Sequence, residues 1–160
     1  VVEPSGGRVD PDVDLAVGRD RRELGARPAA VLAAIAVGGV LGSLARAGLQ
    51  AAFPHHPTDF PGATLGVNVS GCLLIGVLMA VLRQQGGGPP LARPFLGVGV
   101  LGGFTTFSTY VVDIRQALGA GAPGVALAYL VATLVGALVA VWTGDALTER
   151  LLRRGDRGAR

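Results

Sequence analysis

The chain has no lysine and only one cysteine, one methionine and one tryptophan; all 14 of its basic residues are arginine. A lone cysteine, Cys72, excludes an internal disulfide framework and any thiolate-rich metal site, and it reads as a small buried hydrophobe. Charged residues are 16% of the chain against 50% hydrophobic, with a mean hydropathy of +0.52. That is too little charge to clothe a water-soluble globule. The net charge of +3 is small and scattered, which excludes a nucleic-acid surface and leaves no nucleic-acid partner. The two histidines, His55 and His56, are adjacent and have only Asp59 nearby as a further metal-type ligand, so they read as a solvated turn. Arginine without lysine, beside 26 glycines, also carries the mark of a G+C-rich coding bias.

The placement of the few charges sets the class. Residues 29–53 carry only Arg46, while residues 62–82, 95–112 and 118–144 carry none. Each run approaches the ~20 apolar residues that take a helix across a ~30 Å hydrocarbon core. The fold class that follows is an all-α membrane protein with four transmembrane helices. Its connections hold Pro54, Pro57 and Pro61, then Gly86, Gly87, Gly88, Pro89 and Pro90, then Gly119, Gly121 and Pro123. Three regions result: a polar N-terminal tail over 1–28, expected to be disordered, a four-helix domain over 29–147, and an arginine-rich tail over 148–160 that snorkels at lipid headgroups. Val1 in place of methionine points to an alternative start codon or a trimmed chain.

No enzyme is visible in these spans, which lack a carboxylate pair, a Ser/His or Ser/Lys arrangement and a metal cluster. A proton-coupled carrier would place an acid within the bilayer. The one candidate, Asp113, lies near the end of the third run and two residues from Arg115, as an interfacial pair would. What remains is neutral polarity. In the second run Thr64, Asn68 and Gly71 share a helix face, and Gly62 and Gly66 form a small-xxx-small pair. Asn68 either glues helices or lines a polar path. In the third run, Gly102-Gly103-Phe104-Thr105-Thr106-Phe107-Ser108-Thr109-Tyr110 cannot make a robust continuous helix. A break there survives only when buried in protein or lining a hydrated cavity, where freed carbonyls hold a cation or freed amides face an anion.

That motif, with Asn68-Val69-Ser70-Gly71 and Gly38-Gly39-Val40-Leu41-Gly42-Ser43-Leu44-Ala45-Arg46, resembles the CrcB/Fluc family of fluoride channels across residues 30–147. Tyr110 stands where that family usually has phenylalanine, and Ala47 where an aromatic is common. The resemblance implies an antiparallel dimer of four-helix subunits with the third helix broken, two fluoride pores and a structural sodium ion at the dimer centre. It further implies that Asn68 lies on the anion path, that Phe107 and Tyr110 offer ring edges to fluoride, and that Ser108 and Thr109 line the same helix. Gly102 and Thr105 belong to the sodium-holding break, Arg46 is structural near a vestibule, and Asp113 occupies an often acidic position. The implied setting is the plasma membrane of a bacterium, with membrane lipid around a multi-pass protein that exports fluoride passively.

The chemistry agrees with the residues. Fluoride is small and tightly hydrated, so a conducting path must replace its water with many weak donors and no fixed cation. An Asn amide, hydroxyls and electropositive ring edges supply them. The alternatives are a small four-helix carrier and a non-conducting assembly subunit. With four spans, the two termini and the second loop share one face and hold twelve of the arginines; the opposite face holds only Arg115, with Arg46 inside the first helix. Such a bias predicts one orientation with cytoplasmic termini, and hence a dimer partner that is a related subunit of opposite orientation. Reporters fused to the C-terminus test this: a cytoplasmic reporter gives signal and a periplasmic one none, whereas comparable signal from both indicates dual orientation and a homodimer.

Overall fold

The structure is a computed structural model that describes residues 28–158; the polar N-terminal stretch expected to be disordered lies, but for Pro28, outside the described residues. The described residues form helices and connecting turns, with no strand among them. In chain order these are α1 (Pro28–Ala52), α2 (Gly62–Gln84), α3 (Arg93–Leu101), α4 (Gly102–Phe104), α5 (Ser108–Gly119) and α6 (Pro123–Gly158). Four helical segments are long and apolar enough to cross a membrane: Pro28–Ala52, Gly62–Gln84, Arg93–Gly119 and Pro123–Arg154. The chain is therefore a multi-pass membrane protein. The arginine-rich segment beyond residue 147 continues α6 without a break to Gly158.

The turns fall where proline and glycine cluster. Gly86, Gly87 and Gly88 have φ of 66°, 110° and 67°, and Gly121 has φ 75°, values that side-chain-bearing residues resist. Pro123 then opens α6, where its missing N–H costs nothing.

Burial is inverted relative to a soluble bundle. Leu32, Val40, Leu44, Leu134, Leu138 and Trp142 point outward, while Thr64, Asn68, Thr106, Asp113 and Thr133 are buried. A hydrocarbon surround accepts exposed leucine and forces polar groups inward to find one another. Glycine sets how closely the helices approach. A Cβ at Gly38 or Gly42 would fall on the backbone of the third span near Phe95 and Val100, and one at Gly103 would fall on Gly39. Along the other long contact, Gly76 meets the Val141 backbone and Gly144 the Leu73 backbone. Two backbone-to-backbone seams, α1 on α3–α4 and α2 on α6, hold the bundle by dispersion. Gly62 and Gly66 have nothing of this chain within 4 Å of a built Cβ, so the expected small-residue contact there is absent within the chain. Both glycines face an open groove instead.

The α2–α6 seam ends in charge. Arg83 hydrogen-bonds Asp145 and approaches Glu149, which also meets Arg153 one turn on. Cys72 is half-buried rather than a fully buried core residue. A substitution at a seam should separate packing from helix propensity. Gly42→Val should destabilise the fold by about 1–3 kcal/mol by overpacking, whereas Gly48→Ala, with open space around it, should be neutral or add about 0.5–1 kcal/mol. Thermal unfolding in detergent reads both.

Candidate functional site

The functional features gather where α4 meets α5. Gly102 and Gly103 are themselves helical; the departure comes at Thr105, with φ −74° and ψ 161°, and helical geometry resumes at Ser108. Asn68, projecting from α2, takes the place of the missing helical partners. Its Nδ2 donates to the Thr106 carbonyl at 3.0 Å, and its Oδ1 accepts the Thr106 N–H at 2.8 Å. Asn68 and Thr106 are both buried, at 8% and 7% exposure, so an unmet backbone group here would carry its full desolvation penalty.

The hydroxyls complete the turn. Thr106 Oγ1 accepts the Thr109 N–H at 3.1 Å, donates to Thr109 Oγ1 at 3.0 Å and lies 3.4 Å from Ser108 Oγ. Thr105 Oγ1 donates back to the Leu101 carbonyl at 3.0 Å. These bonds divert two amides. The Thr106 N–H, which would cap the Gly102 carbonyl in an unbroken helix, goes to Asn68, and the Thr109 N–H, which would cap Thr105, goes to the Thr106 hydroxyl. Gly102 and Thr105 are thus left with carbonyl oxygens free of their helical donors, the hard oxygen ligands an alkali cation takes. Among the described residues no cluster of three or more His, Cys, Asp or Glu side chains exists, so a cation here would rest on backbone oxygen.

From the break, an aromatic column runs along the bundle. Phe107 lies 5.9 Å from Tyr110 with rings tilted by 47°, Tyr110 lies 5.3 Å from Tyr129, and Tyr129 meets Phe60 edge-on at 5.6 Å. Phe107 is 77% exposed and Tyr110 only 7%. The Tyr110 hydroxyl donates to the Leu130 carbonyl at 3.3 Å, which fixes its ring. Asn68, Ser108, Thr109, Phe107 and Tyr110 therefore do come together about Thr106. Arg46 does not join them, and its Nε is buried without a hydrogen-bond partner.

Two expectations are overturned. Asp113 does not pair with Arg115: residues two apart on a helix face apart. Asp113 is buried, accepts the Tyr129 hydroxyl at Oδ2 from 3.3 Å, and has His55 Nε2 3.8 Å from Oδ1. His55 is therefore not a freely solvated turn residue, because the first loop brings it beside Asp113 midway along α5; its neighbour His56 does remain exposed. Sequence reasoning missed Tyr129 and Thr133, both buried on α6. Their signal was a tyrosine and a threonine one turn apart in a charge-free run; Tyr129 finds Asp113, while the buried Thr133 Oγ1 has no hydrogen-bond partner among the described residues.

Comparison with known proteins places this arrangement. The family described as CrcB-like protein, Camphor Resistance (CrcB) matches residues 33–145. The chain belongs to the CrcB family. It is 56% identical over 124 residues to the fluoride-specific ion channel FluC 2 of Thermobifida fusca, covering 78% of this chain and 92% of that protein. It is 46% identical over 125 residues to FluC 1 of Streptomyces coelicolor, covering 78% and 81%, and 40% identical over 121 residues to FluC of Pseudomonas putida, covering 75% and 98%. The CrcB match takes in every residue of the break and the column.

Removing the clamp should cost stability as well as function. Asn68→Ala leaves the Thr106 N–H and carbonyl buried and unpaired, an expected loss of about 2–4 kcal/mol. Ser70→Ala, whose hydroxyl bonds only carbonyls of its own helix, should stay within about 0.5 kcal/mol. Thermal unfolding of the two variants in detergent checks the contrast.

Proposed function

We propose that this chain is a subunit of a fluoride-selective channel that lets fluoride leave the cell passively and so lowers its toxicity; it is a channel and not an enzyme. The observation that carries the reading is 56% identity over 124 residues to a fluoride-specific ion channel. The chemistry supports it. Asn68, Ser108, Thr109 and the ring edges of Phe107 and Tyr110 offer neutral donors around the break, and no arginine of the described residues forms a hydrogen bond with them. Weak neutral donors strip water from an anion without trapping it. The Asn68 amide has a second N–H beyond the one given to Thr106, which is the hydrogen the anion would meet.

The carbonyls of Gly102 and Thr105 fit a structural sodium ion, and they are the residues of this chain that would hold it. When bound there, the cation supplies a positive potential to the anion path and satisfies the freed oxygens. One chain offers few such oxygens, which favours a second subunit meeting the first at the break in an antiparallel dimer. The exposed Phe107 ring favours the same, since an aromatic with so few neighbours gains from a partner surface. The arginine bias favours a related chain of opposite orientation as that partner, in the plasma membrane of a bacterium.

A second reading has one observation in its favour. Asp113, buried beside a histidine, is the intramembrane acid that a proton-coupled carrier would use. The names of the relatives favour the channel.

Efflux from proteoliposomes tests these together. Reconstituted with its partner subunit where one is required, the protein should release fluoride far faster than chloride, with no obligatory proton movement. Phe107→Ile and Asn68→Asp should reduce release to the protein-free leak in dimers that still assemble, because one removes the ring edge and the other repels the anion. Tyr110→Phe should change it little. Equal fluoride and chloride rates, or no release from an assembled dimer, would defeat the proposal.

A further inference from the structure

The first loop carries a group that the channel reading leaves unused. His55 Nε2 stands 3.8 Å from Asp113 Oδ1, and the side chains are 24% and 5% exposed. A proton from solvent can thus reach the histidine, while the acid behind it is shut in. The loop is fixed in this position. The Asp59 carboxylate accepts the His56 N–H at 3.2 Å, the His56 carbonyl accepts the Asp59 N–H at 2.9 Å, and Phe60 rests edge-on against Tyr129 at 5.6 Å.

Asp113 in turn stands beside the aromatic column, held by the Tyr129 hydroxyl. Tyr110 and Asp113, three apart on α5, are both buried on one face, and Phe107, the residue before the helix, touches the Tyr110 ring. Tyr129 ties them together, 5.3 Å from the Tyr110 ring and hydrogen-bonded to Asp113. An anion moving along Phe107 and Tyr110 toward the first loop therefore approaches a buried carboxylate whose one cationic candidate within ion-pair distance, among the described residues, is His55.

We propose that His55 and Asp113 form a proton-operated electrostatic gate at the first-loop end of the pathway. The inference rests on the channel reading above. With His55 neutral, the Asp113 charge stands unopposed in a low-dielectric setting and repels fluoride; with His55 protonated, the pair is neutral and the barrier falls. Histidine is the side chain whose charge changes across physiological pH. The other groups about the pair are accounted for. On α6, Tyr129 donates to Asp113. From α1, Gln50 donates to Thr64 of α2, both neutral, and Arg46 lies a further turn from the loop. On α5, Arg115 is exposed on another face. Within the loop, Asp59 is engaged by the His56 backbone, and the His56 ring points to solvent. Because the first loop lies on the face opposite the termini, the gate senses pH on that side of the membrane.

The test is fluoride release from proteoliposomes with equal pH on both sides, stepped from about pH 8 to about pH 5.5, with the leak of protein-free vesicles subtracted. Wild-type release should rise about fivefold or more over this range. His55→Asn should stay at the slow rate throughout, and His55→Lys should be fast even at pH 8. Asp113→Asn keeps a carbonyl for the Tyr129 hydroxyl and should be fast and flat. His56→Asn should keep the wild-type profile. A flat wild-type profile, or a wild-type rise preserved in His55→Asn, overturns the gate while leaving the channel standing. Absence of fluoride release at every pH overturns the channel reading, and the gate with it.

Discussion

The Asn68 carboxamide holds the Thr106 backbone from both sides, and the rest of the third span is arranged around that clamp. In water such an interruption would be trivial, since solvent would satisfy Thr106. Inside an apolar bundle each unmet amide or carbonyl costs several kcal/mol, so the chain can leave helical geometry only where a side chain supplies both a donor and an acceptor. Asparagine does so with one planar group. Once Thr106 is held, its hydroxyl is free to cap Thr109 and restart the helix at Ser108.

Everything polar then follows from scarcity. With no water to share, Tyr110 takes a carbonyl of α6, Tyr129 takes the Asp113 carboxylate, and Gln50 reaches across to Thr64. The outcome is a chain of polar contacts, with one buried carboxylate at Asp113, inside a bundle whose outside is leucine and valine. The glycine seams make the approach possible, because side chains at Gly42 or Gly103 would push α1 off the third span and move the break away from its neighbours. A conducting path needs both properties: donors that are positioned but weak, and a wall that lipid covers.

Much of this was legible in the linear chain. A charge-free run near 20 residues has few fates other than a membrane helix, so four spans followed from charge placement alone, and their connections from proline and glycine. The run from Gly102 to Tyr110 marked the site because glycine and hydroxyl residues are poor material for an unbroken span. Less legible were the residues whose meaning depends on a partner. Asp113 looked interfacial beside Arg115, and His55 looked solvated beside proline, because neighbours in sequence were the only neighbours available.

Local rules thus determined the class: hydropathy fixed the number of spans, turn residues fixed their ends, and the match of motifs fixed the family. Pairing across the bundle belonged to tertiary structure. Which backbone Asn68 clamps, 38 positions away, and that Tyr129 and His55 converge on one buried carboxylate, depend on how helices rotate and cross. Helix rotation is set by close packing at glycine over many contacts at once, a collective quantity that no single residue or spacing encodes.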